Sequence, residues 1–262
     1  MLFRVTARTV WPAVFLCLAG TFAAAYWLGL ERPIPVQRTW TAPGTVMPRF
    51  YVATPHRRVA LTFDISWGTQ SLALVLPVLA GHNVKATFLL SGPWAQRHPH
   101  LVRSIVQAGH EIASHGHRHD HLSRFDRAYI ADNLGTAHRL LRETSGQTPR
   151  FFRPPDGDYD DLVVTTAREL GYETVIWAVD SLDWRNPGVD FMVDRVLRQA
   201  FRGAIVLFHA SDSAQSTHLA LPRVISGLRG AGYSLVTLGE LVAGGTPARD
   251  DPRGRKTRPV TD

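Results

Sequence analysis

The sequence predicts an α/β protein in which a parallel sheet closes toward a seven-stranded βα barrel. Three observations predict it. Between about residues 50 and 243, short apolar runs alternate with segments of helical periodicity. Several of those segments stop at a glycine, the usual residue just past a last helical turn. Polar, chemistry-capable side chains follow strands spread over the whole series, and a barrel brings all such strand ends to one mouth. An open doubly wound sheet would gather only the strands beside its switch point.

The expected strands are Val59–Phe63, Val84–Leu90, His110–Ser114, Phe151–Arg153, Thr174–Val179, Ala204–Phe208 and Tyr233–Thr237. One helix carries Leu101, Val102, Ile105 and Val106 and stops at Gly109. A second carries Ile130, Leu134, Ala137 and Leu141 and stops at Gly146, and a third runs from Asp161 to Leu170 and stops at Gly171. Asp64, His115, Arg153, the pair Asp180 and Asp183, and His209 stand at the carboxyl ends of strands one, three, four, five and six.

At 262 residues and 45% hydrophobic content, the chain fits one sizeable domain with appendages. Arg4 and Arg8 precede a nearly unbroken apolar run, Val10–Leu30, long enough to cross a bilayer. It reads as a transmembrane signal-anchor over residues 1–30 that leaves the remaining chain extracytoplasmic. The small residues Ala23–Ala25 leave a cleaved signal peptide as the alternative. Residues 31–56 read as a proline-containing linker with a possible edge strand, 57–243 as the folded domain and 244–262 as a disordered tail. The formal charge of +7 comes almost wholly from arginine, since Lys85 and Lys256 are the only lysines. That charge suits an anionic polymer, but no cluster of arginines and aromatics marks a nucleic-acid module. Cys17 is the only cysteine and lies in the apolar run, so the folded part forms no internal disulfide. A monomer is expected.

Four segments carry the chemistry. "SHGHRHDH" puts His115 and His119 at i and i+4, on one face if the segment makes a helical turn, as two imidazoles for a borderline metal. A solvated histidine-rich loop is the plainer alternative. "FFRPPDG" sets Arg153 before two prolines that stiffen the turn, so the guanidinium can orient Asp64 and lower its pKa. In "DSLDW" and "IVLFHA", an Asp183 carboxylate holding the His209 ring would favour the imidazolium and make a general acid. Trp184 reads either as core or as a sugar-stacking platform.

Taken in order, "TFD", "HxxxH", "RPPxG", "DxxDW" and "LxH" resemble the polysaccharide deacetylase family with the NodB-homology domain, carbohydrate esterase family four. The resemblance spans about Val59–Leu241, and "FDISWG" and "VDSLDW" look closest to the sporulation-associated, PdaB-type branch. It implies a distorted (β/α)7 barrel and a metal-dependent hydrolase that removes N-acetyl groups from an N-acetylated cell-wall glycan, such as peptidoglycan. By matching position it implies Asp64 as base, His209 as acid, Asp183 and Arg153 as their partners, and His115 and His119 as metal ligands. Zinc is the first metal expected, with cobalt or nickel as alternatives. Trp184 and Leu207 would wall the acetyl pocket, and Pro155 and Asp156 would lie against substrate, with a backbone N–H after the prolines on the oxyanion. Two departures stand out. Ile65 replaces the second aspartate that gives the family its third metal ligand, and Asp156 replaces the usual aromatic of "RPPxG". Asp156, Asp158 or His117 would be the residue to complete the coordination. A glycan-binding or morphogenetic protein without metal chemistry, and an O-acetyl esterase, are the competing functions.

Overall fold

The computed structural model describes residues 47–248 and 250–254. The elements are β1 (Val52–Ala53), β2 (Arg58–Ile65), α1 (Gln70–Gly81), β3 (Thr87–Leu90), α2 (Gly92–Arg97), α3 (Pro99–Gln107), β4 (Glu111–Ser114), α4 (Arg127–Ser145) and β5 (Phe151–Phe152). They continue as α5 (Asp161–Glu169), β6 (Glu173–Thr174), β7 (Val179–Asp180), α6 (Val189–Gln199), β8 (Ile205–His209), α7 (Thr217–Gly230), β9 (Ser234–Val236), α8 (Leu238–Ala243) and β10 (Thr246–Pro247). The three helices expected by residue are present as α3, α4 and α5, and α4 ends on Gly146 at φ 71°.

The large sheet is parallel throughout, in the order β6-β5-β4-β3-β2-β8-β7, with β9 paired to Arg58–Ala60 of β2 ahead of β3. Its two end strands are consecutive parts of one run. Phe152 pairs with Thr174, and the Val175 N–H donates to the Phe152 carbonyl at 2.8 Å. The Ala178 N–H then donates to Ile205 at 2.9 Å, and Val179 and Asp180 pair with β8. The single strand expected over Thr174–Val179 is therefore two short ones. Changing neighbours from β5 to β8 takes the residues between out of both ladders, and this change curls the sheet in the manner of a distorted barrel. The segment from Arg49 lines the resulting seam. Arg49 N–H donates to Thr174 at 2.8 Å, Ile176 N–H donates to Arg49 at 2.7 Å, and Val52 N–H donates to Gly203 at 2.9 Å.

Strand alternation sorts side chains between two cores. Val59, Leu61, Phe63 and Ile65 of β2 face the helices, in one cluster with Phe88 of β3 and Val206 and Phe208 of β8. Phe63 stacks between Phe88 and Phe208, with centroids 5.1 and 5.7 Å away. The other set includes Ala60, Leu89, Ala113, Phe151 and Ile205, which cluster with Leu238 and Leu241 of α8. This short helix is held where the strands begin, because the Leu238 N–H donates to Thr87 Oγ1 at 2.8 Å and the Gly239 N–H to Glu111 Oε2 at 3.0 Å.

Structure extends past the expected carboxyl-terminal edge of the folded domain, and β1 lies in the segment where a possible edge strand is expected. Phe50 and Val52 are fully buried, and β1 pairs antiparallel with β10 inside the segment expected to be a disordered tail. The aromatic side chains of the entry segment explain this order. Tyr51 donates to Asp250 Oδ1 at 2.6 Å, and the Arg253 guanidinium lies 4.7 Å from the Phe50 ring centre. Among the described residues no helix is long and apolar enough to cross a membrane. The apolar run Val10–Leu30, with Cys17 and the anchor reading, lies outside the described residues.

Gly203 sits at φ 84°, where a Cβ would stand 1.7 Å from the Val52 carbonyl oxygen. Gly203→Ala is expected to cost about 1–3 kcal/mol in urea-unfolding experiments. A change below experimental error would mean that the seam contact contributes nothing.

Candidate active site

The interior-facing set continues up each strand into the site. Above Ala60 come Thr62 and Asp64, above Ala113 comes His115, above Phe151 comes Arg153, and above Ile205 come Leu207 and His209. Asp64 and His209 are direct partners across β2 and β8. Period two thus brings four strand-end groups, Asp64, His115, Arg153 and His209, to one place without any special turn.

Arg153 is completely buried. Its Nη1 donates to Asp64 Oδ1 at 2.7 Å, and its Nη2 donates to Thr62 Oγ1 at 2.9 Å and to the Ile176 carbonyl at 3.2 Å. The guanidinium also lies 5.6 Å from the Trp177 ring centre. Burial pushes the Asp64 carboxyl up, but Arg153, helped by His115 and His209, overrides it and holds the group below the ordinary carboxylate range. A charged, water-poor carboxylate results.

The acid half is equally furnished. His209 Nδ1 is 2.8 Å from Asp183 Oδ1, the His209 backbone N–H donates to Asp183 Oδ2 at 2.7 Å, and Thr217 Oγ1 donates to the same oxygen at 2.7 Å. Burial alone would lower the His209 pKa. The bond to Asp183 and its charge, with Asp64 beyond, outweigh burial and raise it. Two titratable groups shifted in opposite directions at adjacent strand ends are an arrangement suited to a base and an acid. Asp180 adds its charge to His209, while its Oδ1 accepts the Leu182 N–H at 2.8 Å and shapes the turn into Asp183.

The histidine segment makes no helical turn. Gly116 takes φ 74° and the segment bends, yet the His115 and His119 ring centres are only 5.3 Å apart. His115 Nδ1 bonds the Arg153 carbonyl at 2.8 Å, leaving Nε2 toward Asp64 Oδ2 at 3.8 Å. Burial lowers the His115 pKa to about 4, so the ring is neutral at neutral pH and able to act as a ligand. Ile65 belongs to the helix-facing core, on the opposite side of β2 from Asp64. Two imidazoles therefore stand where a catalytic zinc takes three protein ligands, and the family position does not fit a tightly held ion. Among the described residues no three His, Cys, Asp or Glu side chains are arranged to hold one.

The three replacement ligands fare differently. Asp158 is engaged with the Ser123 N–H and hydroxyl at 2.9 and 2.8 Å. His117 packs against Gly92 of α2, and its backbone N–H donates to Asn133 Oδ1 at 2.7 Å. Only Asp156 reaches the histidines, with Oδ2 3.9 Å from His119 Nδ1. The N–H groups of Gly157 and Asp158 are used within the turn, on Pro154 and Pro155, whereas that of Asp156 makes no such bond. Leu207 is buried and Pro155 is buried in the turn, while Trp184 is exposed and carries Arg185 5.5 Å from its ring centre. Trp184 is thus surface, not core.

Sequence reasoning passed over Thr62, Thr217, Trp177 and Trp67. Thr62 was detectable, two residues before Asp64 on the same strand face. Trp67 is exposed, with its ring 5.7 Å from that of His119, and only its nearness to Asp64 in sequence signals it. A surface groove of about 640 Å³ along α4, lined by His138, Arg142, Leu170 and Tyr172, shares no residue with the site.

An ionised carboxylate and a histidine shifted toward its protonated form, facing one another at the strand ends of a curled parallel sheet, make an arrangement suited to acid–base hydrolysis. The family profile described as polysaccharide deacetylase matches residues 51–175. A peptidoglycan-N-acetylglucosamine deacetylase of Bacillus cereus is 35% identical over 187 residues, which cover 70% of this chain and 87% of that one. The chain belongs to the polysaccharide deacetylase family. An uncharacterised protein, YlxY, of Bacillus subtilis is 34% identical over 184 residues, and this chain spans 57% of its length. Among solved structures, a Bacillus anthracis pseudoenzyme of carbohydrate esterase family four has 33% identity and a TM-score of 0.71, covering 74% of this chain and 68% of its own. A mutant of that pseudoenzyme with restored enzymatic activity has 34% identity and the same TM-score, covering 74% of this chain and 71% of its own.

Removing the guanidinium isolates the burial effect on Asp64. Arg153→Met is expected to cost about 3–5 kcal/mol at pH 7, because a carboxylate is left buried and unpaired. In the variant Asp64 rises above its unfolded value, so the deficit should shrink as pH falls and the group protonates. Urea unfolding at pH 7 and pH 4 checks this. A deficit equal at both would assign the loss to packing alone.

Proposed function

We propose that this protein is a hydrolase that removes N-acetyl groups from a cell-wall glycan, peptidoglycan foremost. The observation that carries this reading is the matched pair at the mouth, with Asp64 held ionised by Arg153 and His209 shifted toward its protonated form by Asp183. Asp64 takes a proton from the attacking water, and its depressed pKa keeps it ready over the whole neutral range. His209 gives a proton to the leaving amine nitrogen, and Thr217 and the His209 N–H fix the Asp183 carboxylate that orients the ring. The Asp156 N–H, at the mouth side of the proline turn, is the donor for the developing oxyanion. Exposed Trp184 and buried Leu207 form the wall for the acetyl methyl. The family name and the deacetylase relatives support this reading of the substrate class.

The reading includes dependence on a divalent ion, zinc ahead of cobalt and nickel, held weakly because Ile65 offers no donor. It also includes an extracytoplasmic domain behind the N-terminal apolar run, anchored or released by cleavage, and a monomer. A second reading rests on Ile65 itself. With the third ligand replaced by a core side chain, the groove would bind glycan and cleave little, and the similarity to a pseudoenzyme supports that reading.

Acetate release from peptidoglycan fragments, N-acetylated chitooligosaccharides and an O-acetylated glycan separates these readings. The full chain is stripped of metal and assayed with and without zinc or cobalt, beside Asp64→Asn. Metal-stimulated release that falls about 10²–10⁴-fold in Asp64→Asn is the expected result. No release from any substrate, with glycan binding retained, would select the second reading, and release from the O-acetylated glycan alone would make the protein an esterase.

The pH profile has a definite sign. The raised His209 pKa sets the alkaline limb, where activity falls as the acid deprotonates, and the lowered Asp64 pKa puts the acid limb well below neutral. In Asp183→Asn the bond and charge that raise His209 weaken, so burial should carry the alkaline limb to lower pH. An unmoved limb would remove His209 from the role of acid.

A further inference from the structure

The turn that leads from β2 into α1 is tied down along its backbone. The Ser66 N–H donates to Ser211 Oγ at 3.1 Å, and the Asp212 carboxylate accepts the N–H groups of Thr69 and Ser71 at 3.2 and 2.9 Å. Trp94 of α2, fully buried, donates its indole N–H to the Gly68 carbonyl at 2.7 Å. Gly68 takes φ 73°, and a Cβ there would stand 2.1 Å from the Asp212 carboxyl carbon. Trp67 lies inside this turn, three residues past Asp64, yet it is 46% exposed. A large ring displayed on a fixed backbone is a preformed contact surface, because little backbone freedom is left to lose when a ligand settles on it.

The position of the ring ties it to the site. It meets His119 at a centroid separation of 5.7 Å and an interplanar angle of 67°, and the His119 ring is 5.3 Å from that of buried His115. Trp67 thus borders the histidine side of the mouth. Trp184, the other exposed tryptophan among the described residues, follows Asp183 on the acid side. The ligand class follows from chemistry. A sugar ring offers a face of C–H groups to an aromatic face and keeps its hydroxyls in water, so it covers an exposed indole without stranding polar groups. Nucleobases also stack on indoles, but Asp212 beneath the turn and Asp64 just before it add negative charge that disfavours a polyanion.

We propose that Trp67 is a carbohydrate-stacking platform, which holds the sugar unit beside the one that meets Asp64 and His209. Which unit reacts rests on the hydrolase reading; the platform itself rests on the turn and the exposed ring. A glycan long enough to span from the acid–base pair to Trp67 gains affinity from the indole, and a fragment too short to reach it gains none.

The test is calorimetric titration of the full chain carrying Asp64→Asn, which lacks the base, with the hexasaccharide of N-acetylglucosamine. Trp67→Ala, Trp67→Leu and Trp67→Phe are compared in that background, beside Leu170→Ala, which removes an exposed apolar side chain from the groove along α4. Binding is expected to weaken about tenfold in Trp67→Ala and Trp67→Leu, to stay within about twofold in Trp67→Phe, and to be unchanged in Leu170→Ala. The contrast between Leu and Phe separates stacking on an aromatic face from simple coverage of His119. Unaltered affinity in Trp67→Ala, or equal loss in Trp67→Leu and Trp67→Phe, would overturn the proposal. Absence of hexasaccharide binding in the parent chain would overturn it too. The same titrations on the metal-stripped chain with Asp64 in place keep the test decisive if Asp64→Asn does not fold. Calorimetry reads glycan binding and not acetate release, so failure of the platform is distinct from failure of the hydrolase reading.

Discussion

A single buried guanidinium sets the terms for the rest of this molecule. Arg153 brings a full positive charge into a barrel interior otherwise filled by Ala60, Leu89, Ala113, Phe151 and Ile205. Such a charge is tolerable only with compensation from close, well-directed acceptors. Asp64 and Thr62 of β2 and the Ile176 carbonyl supply them, from two parts of the wall. The Arg153 main chain serves the same end, because its carbonyl fixes the His115 tautomer while its N–H extends the ladder to Ser114. Electrostatics, strand pairing and imidazole orientation are therefore aspects of one residue's placement.

The strict alternation of the strands divides labour between two faces. On β2, Thr62 and Asp64 look inward to chemistry, while Phe63 and Ile65 look outward to the helices. An aspartate at position 65 would have to leave an apolar layer to reach an ion; isoleucine simply completes it. The substitution therefore fits the packing well, and its effect falls on the ligand set alone. Asp64 and His209 keep their contacts, because neither depends on that layer.

Most of the site was legible because it depends on strand ends and period two. Asp64, Arg153, Asp183 and His209 follow apolar runs whose ends are easy to find, and the bonds among them follow once those ends converge. What escaped depends on neighbours that sequence periodicity does not encode. After Thr174 the run to Val179 is uniformly apolar, so nothing in it tells that its start pairs with β5 and its end with β8. His115 and His119 have helical spacing, but Gly116 turns the backbone left-handed and reaches a similar juxtaposition by another path. Thr246 and Pro247 looked like tail because glycines precede them, yet Gly245 is what lets the backbone come close to Ala53. Thr217 reads as one more polar residue before a helix, and its bond to Asp183 spans 34 positions.

The change of neighbours at residues 175–178 has a mechanical consequence. A barrel wall of continuous ladders resists opening evenly around its circumference, whereas here one stave is jointed. Arg153 reaches across that joint to Ile176, and Arg49 grips the same residue from the entry side. The joint, the entry segment and the charge on Asp64 thus form a keystone assembly. Strain applied to the chain at residue 49 arrives one residue's contacts from the guanidinium, and the poise of the site is bound to the closure of the wall.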